Sequence, residues 1–147
     1  MKAIIIILLF GISFSYNRTN AIKYAKKYCN YRGPYYDYHY QRDGENANFI
    51  SKCLVAGGQK FDGCVGRDSK GMFLNIPNLK NCLLKKGWKK SISKHPEFKA
   101  GYPIFLKNIP HVMLATGFDS NYIIYCAHAS DRCDAKVDAK SVEYFYL

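Results

Sequence analysis

Residues 43–58 read DGENANFISKCLVAGG. Phe49, Ile50, Cys53 and Leu54 recur at the three- and four-residue spacing that lays one apolar stripe along a helix. Gly57 and Gly58 supply the left-handed residues that commonly end one. The spacing therefore predicts a helix over 46–56, opened by Glu45 and Asn46 after a loop. Asn is a good N-cap, so Asn46 is read first as the residue that starts the helix. What chemistry this opening turn can hold decides how the rest of the chain is read.

Two more helices flank it. Asn17–Cys29 has Asn17 or Thr19 as its cap and Ala21, Tyr24, Ala25 and Tyr28 at helical spacing. Asn78–Lys86 follows Pro77, sets Leu79, Cys82 and Leu83 on one face, and stops at Gly87. Between them lie two loops. YRGPYYDYHYQRDG carries five tyrosines with no period, and QKFDGCVGRDSKG is punctuated by glycine. After Trp88 the pattern changes. GYPIFL, HVMLATGF, YIIYCAH and VEYFYL are short and rich in β-branched and aromatic residues, and DSN at 119–121 joins the middle two as a hairpin. Helices first and antiparallel strands second predict an α+β domain.

The first residues lie outside that domain. Met1-Lys2 gives a positive start, AIIIILLFGI an apolar run, and Ser13 and Ser15 the small residues of a cleavage site. Residues 1–15 read as a secretory signal peptide cut before Tyr16, and 16–147 as the domain. The run falls short of the ~20 apolar residues that cross a bilayer, so no membrane role is expected after cleavage. The mature protein is expected to be secreted, or delivered to an endomembrane or vacuolar lumen, as a monomer. The 48% hydrophobic and 22% charged residues exclude a disordered chain.

In an oxidising compartment the six cysteines, Cys29, Cys53, Cys64, Cys82, Cys126 and Cys133, are disulfide candidates for up to three bonds. Their number alone allows 15 pairings, Cys126–Cys133 across a short loop among them. A zinc site from Cys126, His128 and Cys133 lacks a fourth ligand, so no metal is expected. NRT at 17–19 fits an N-glycosylation site. Net charge is +11, or +10 without Lys2, which favours polyanions such as an anionic cell-wall surface. KKGWKK at 85–90 is the densest basic cluster and reads as a solvated helix end, with Lys85 and Lys86 near the negative end of the dipole, and no nucleic-acid motif is present in the chain.

Three places combine. A helix opens at 44–48, His111 precedes one strand, and His128 ends the next. Cysteine hydrolases use this arrangement: a thiolate at a helix N-terminus, an imidazole on a facing strand that takes its proton, and a polar group that orients the imidazole. The motifs resemble those of the putative amidase domain family, a branch of the NlpC-type, papain-like cysteine peptidases. ENANFISKCLVAGG is similar to that family's nucleophile helix, HVMLATG to its histidine strand, HASDR to the motif after it, and YNRTNAIKYAKK to its first helix. The resemblance covers nearly all of 16–147. It implies a papain-like fold, with N-terminal helices packed on a C-terminal antiparallel β-sheet. It also implies that His111 is the general base, that His128 orients it, and that Asn48, Asp131 and Arg132 are binding residues.

The family's cysteine falls on Asn46, and an amide is not a nucleophile. Cys53 lies two turns on, ~10 Å away at 1.5 Å per residue, and reads as structural. The resemblance thus implies a protein that acts on or binds peptide amides such as bacterial wall peptides, without a cofactor, its catalysis impaired at Asn46. Two alternatives stand beside it. One is an active hydrolase in which Asp43 or Glu45 activates water with His111; the other is a basic, disulfide-stapled binder of polyanions or walls.

Overall fold

The computed structural model describes residues 15–30, 42–128 and 132–147. The tyrosine-rich loop, most of the leader and Asp131 lie outside the described residues. Helix α1 spans Arg18–Tyr28, α2 Arg42–Ala56 and α3 Ile76–Lys85. Six strands follow: β1 Lys89–Ser91, β2 Pro103–Leu106, β3 Val112–Asp119, β4 Tyr122–Ala127, β5 Arg132–Asp138 and β6 Val142–Tyr146. They form one antiparallel sheet in the order β1-β6-β2-β3-β4-β5. The molecule is therefore α+β, helices first. Among the described residues no helix is long and apolar enough to cross a membrane.

Local chemistry sets the helix ends. Asn17 caps α1, its side chain accepting from the Asn20 N–H at 3.0 Å, so the glycosylation motif is the helix start itself. Asn75, not Pro77, begins α3: its side chain accepts from the Asn78 N–H at 2.9 Å, and Pro77 sits inside the first turn, where no N–H is needed. α2 ends in a paired reverse bond, Gln59 N–H to Leu54 O and Gly58 N–H to Val55 O, with Gly58 at φ 94°. Its neighbour Gly57 is needed for a different reason. A Cβ there would lie 2.5 Å from the Tyr16 ring.

The predicted α2 stripe is buried: Phe49, Ile50, Cys53 and Leu54 belong to one core cluster with Leu114, Met113 and Ile123 of the sheet. The central strands are covered on both faces. Phe105 and Phe145 lie under Lys80 of α3, while Tyr144 meets Phe98 of the 92–102 segment. Burying this much apolar surface is the main stabilising term.

Two disulfides form. Cys29–Cys133 joins the end of α1 to β5, and Cys64–Cys82 joins the loop after α2 to α3. Cys53 and Cys126 are free and buried. The short Cys126–Cys133 loop is therefore not made, because Cys133 is turned toward α1 while Cys126 is sealed in the core. Lys85 and Lys86 are not simply solvated either. They donate to Gly63 O and Asp62 O, at 3.1 and 2.6 Å, and hold that loop against the helix end.

Candidate active site

α2 begins at Arg42, four residues earlier than its apolar stripe shows. Asn46 is consequently inside the helix and is not its cap: Gly44 and Glu45 before it are already helical. Its side chain is sealed, with 1% of the residue exposed. The Asn46 amide nitrogen donates to His111 Nδ1. The ring nitrogen can accept only in the neutral imidazole, with its proton on Nε2. The amide's other atom, Oδ1, is buried and has no hydrogen-bond partner among the described residues.

His111 is placed by the β2–β3 turn. Pro110 precedes it and the Leu106 N–H bonds to its carbonyl at 3.0 Å, which closes the turn. His128 follows β4, and β4 pairs β3 through the predicted 119–121 hairpin. Its ring lies flat on Phe49, centroids 3.8 Å apart and planes 8° from parallel. Its Nε2 donates to Tyr28 O at 2.8 Å, and its Nδ1 faces Glu45 Oε1 at 3.8 Å. Both histidines thus meet one turn of α2: His111 at residue 46, His128 at residues 45 and 49.

A nucleophile at position 46 would stand against His111 Nδ1, where a proton can pass from one to the other. The asparagine that occupies it can donate and accept hydrogen bonds but cannot attack a carbonyl.

The family model described as "Putative amidase domain" matches residues 15–146. The chain belongs to the putative amidase domain family. It is also 43% identical over 61 residues to the "Uncharacterized protein YhbB" of Bacillus subtilis (strain 168), a match that spans 41% of this chain and 18% of that protein. No solved structure matches the chain.

The remaining motif residues of the amidase domain fall into three groups. Asn48 is engaged within the fold: its amide donates to Asp68 Oδ2 at 3.1 Å, and Asp68 Oδ1 accepts the Lys70 and Met72 N–H groups. Ser51 braces the same loop, donating to Ala47 O at 2.6 Å while accepting the Phe73 N–H at 3.2 Å. These bonds tie α2 to the 67–73 turn. Arg132 is exposed at the start of β5, and Asp131 lies outside the described residues.

Cys53 is wholly buried, and burial, with the nearby Cys126 second, pushes its thiol well above the usual range, the opposite of an activated nucleophile. Among the described residues no group of three His, Cys, Asp or Glu could hold a metal, and Cys133 is bonded to Cys29 rather than to any ion. Three partners had no signal in the sequence: the Tyr28 carbonyl, Glu45 as the neighbour of His128, and Phe49 as its platform. Each becomes visible only when segments up to a hundred residues apart are brought together.

Proposed function

We propose that this chain is a secreted amidase-family domain of papain-like, NlpC type in which Asn46 replaces the nucleophilic cysteine. It binds peptide amides, such as those of bacterial wall peptides, and does not cut them. The observation that carries the reading is the contact of the Asn46 amide with His111 Nδ1. Two residues 65 apart in sequence meet where a nucleophile and its base would meet.

The stranded Oδ1 of Asn46 fits the same reading. The surroundings of residue 46 offer one polar partner, His111, and nothing described for a second polar atom. A buried acceptor left unsatisfied costs about 1–3 kcal/mol. A thiol, with a single polar atom, would incur no such cost.

In this reading His111 is the base, and His128, held by Tyr28 and Glu45, keeps the β3–β4 end of the cleft in register. Arg132, exposed at the start of β5, and Asp131, which precedes it in sequence, are the binding residues of this reading. The test compares oxidised wild-type protein with Asn46→Cys on peptidoglycan and on short peptide amides. Cleavage by Asn46→Cys alone is the expected result. Turnover by pure wild-type protein that His111→Ala removes would overturn it in favour of water activated from Glu45 or Asp43.

A further inference from the structure

His111 belongs both to the candidate site and to a hollow beside it. The hollow, of about 400 Å³, lies between the start of α3 and the β2–β3 turn, and His111 is one of its lining residues. Its size is within the range of about 300–1,000 Å³ usual for small-ligand sites.

Most of the wall is apolar. Ile76 and Pro77 contribute from α3, Phe105 and Leu106 from β2, and Ile109 and Pro110 from the turn. Ile109 is 63% exposed. An exposed isoleucine is ordinary by itself. This one stands on a turn closed by the Leu106–His111 backbone bond and stiffened by Pro110, whose ring fixes its own φ. A turn already fixed gives up little freedom when a ligand covers it.

The charges at the wall are engaged elsewhere. Lys80 is ion-paired with Glu143 at 2.9 Å and rests 5.3 Å from the Phe105 ring centroid, so its charge is balanced. Lys107 Nζ donates to the Lys140 carbonyl at 2.8 Å. Lys140 lies with Tyr144 on the other side of the sheet, since Ile104 pairs Tyr144 and Phe105 pairs Glu143. The Lys107 head is therefore held away from the Phe105 face. No acidic side chain lines the hollow among the described residues. What remains is two amides, Asn81 and Asn108, which can donate to or accept from a peptide backbone.

We infer that this hollow is the side-chain subsite of the candidate site and that it selects peptide amides flanked by an apolar residue, whose side chain lies against Ile76, Phe105 and Ile109. The inference rests on the amide-binding reading above. The shared residue sets the register. A side chain seated beside His111 belongs to the residue directly before or directly after the amide presented to its ring. Burial of apolar surface favours such a side chain, whereas a charged one would lose water and gain no free partner.

The test uses peptides that differ only in a Leu, Asn or Asp placed directly before or directly after a fixed central amide. Binding to wild-type protein is followed by calorimetry. At one of the two placements the Leu peptide should bind roughly tenfold tighter than its Asn partner, part of what full burial of a leucine would give. The Asp peptide should bind no tighter than the Asn peptide. Ile109→Ser should bring the Leu-to-Asn ratio toward one. Ile92→Ser removes an apolar residue that is 75% exposed on the Tyr144 side of the sheet. It should leave the ratio intact, which separates the hollow from general surface hydrophobicity. Equal binding of Leu and Asn peptides at both placements overturns the subsite. So does a ratio that survives Ile109→Ser, or tightest binding of the Asp peptide, which would make the lysines the selecting groups. If Asn46→Cys cuts Leu and Asn peptides with equal kcat/KM, the amide reading stands and the subsite falls. If no peptide binds and Asn46→Cys cuts none, both fall.

Discussion

Asn46 is an expensive residue to bury. It gives its nitrogen to His111 and leaves its oxygen unsatisfied among the described residues. Replacing it by Cys removes one neutral hydrogen bond, worth about 0.5–1.5 kcal/mol, and relieves an acceptor whose burial costs about 1–3 kcal/mol. Asn46→Cys should therefore lie between about 0.5 kcal/mol less and about 2.5 kcal/mol more stable than wild type, as read from its urea midpoint. A loss above about 2 kcal/mol would mean that Asn46 is a structural anchor, and the substituted-nucleophile reading would lose its support. In the Asn46→Cys protein, His111→Ala should lower turnover by about 10²–10⁴, the usual contribution of a positioned base. At this scale much of the site was legible. Asn46, His111 and His128 stand in short motifs that sequence displays directly. Glu45 was legible only as a carboxylate, and its place beside His128 depends on how α2 lies across the sheet.

The elements that hold the site are joined in two places by sulfur. Tyr28 and Cys29 end α1; His128 and Cys133 lie at the facing end of β4 and β5. Cys29–Cys133 thus brackets the Tyr28–His128 bond with a covalent tie. Cys64–Cys82 fastens α3, which lines a hollow beside His111, to the loop after α2. In the chain-entropy model, closing 104 residues constrains the unfolded chain by about 5 kcal/mol and closing 18 by about 3 kcal/mol. Cys29→Ser with Cys133→Ser should be the more destabilising pair by denaturant titration. In the Asn46→Cys background it should lower kcat, because His128 loses its brace. Cys64→Ser with Cys82→Ser should raise KM, because the wall of that hollow loosens. Equal effects of both pairs on kcat would show that neither disulfide serves the site specifically. The strands missed from sequence were edge strands. β1 is KKS and β5 is RCDAKVD, and charges on an edge protect it from pairing with other chains while erasing the hydrophobic alternation that reveals a strand.

Across the whole molecule, the class was legible from the change of period at Trp88, and the β3–β4 hairpin from its turn residues. The strand order was not. β6, last in the chain, enters between β1 and β2, and no local pattern announces such a return. One residue ties these layers together. The Tyr16 hydroxyl donates to Gly101 O at 2.7 Å, its ring meets Trp88 at 5.2 Å, and it lies against Gly57 at the end of α2. Burial pushes its phenol far above the ordinary value of 10.0, with the charges of Cys53 and Tyr102 adding and Arg18 opposing. A phenol that holds its proton longer in the folded state stabilises that state fully below its unfolded pKa. As pH rises past about 10 the unfolded chain releases this proton and the folded chain keeps it, so stability falls by about 1.4 kcal/mol per pH unit for this group. Cys53 and Cys126, whose buried thiols are also raised, should begin the decline nearer pH 9. Tyr16→Phe should cost about 1–2 kcal/mol at pH 7, through the lost bond to Gly101, and make the limb above pH 10 shallower by one group. Denaturant midpoints from pH 7 to 11, read within minutes so that thiols do not exchange with the disulfides, decide it. An unchanged alkaline slope in Tyr16→Phe would mean that Tyr16 ionises in the folded protein as readily as in the unfolded chain, and that the junction of α2, the sheet and the N-terminal segment is open to water.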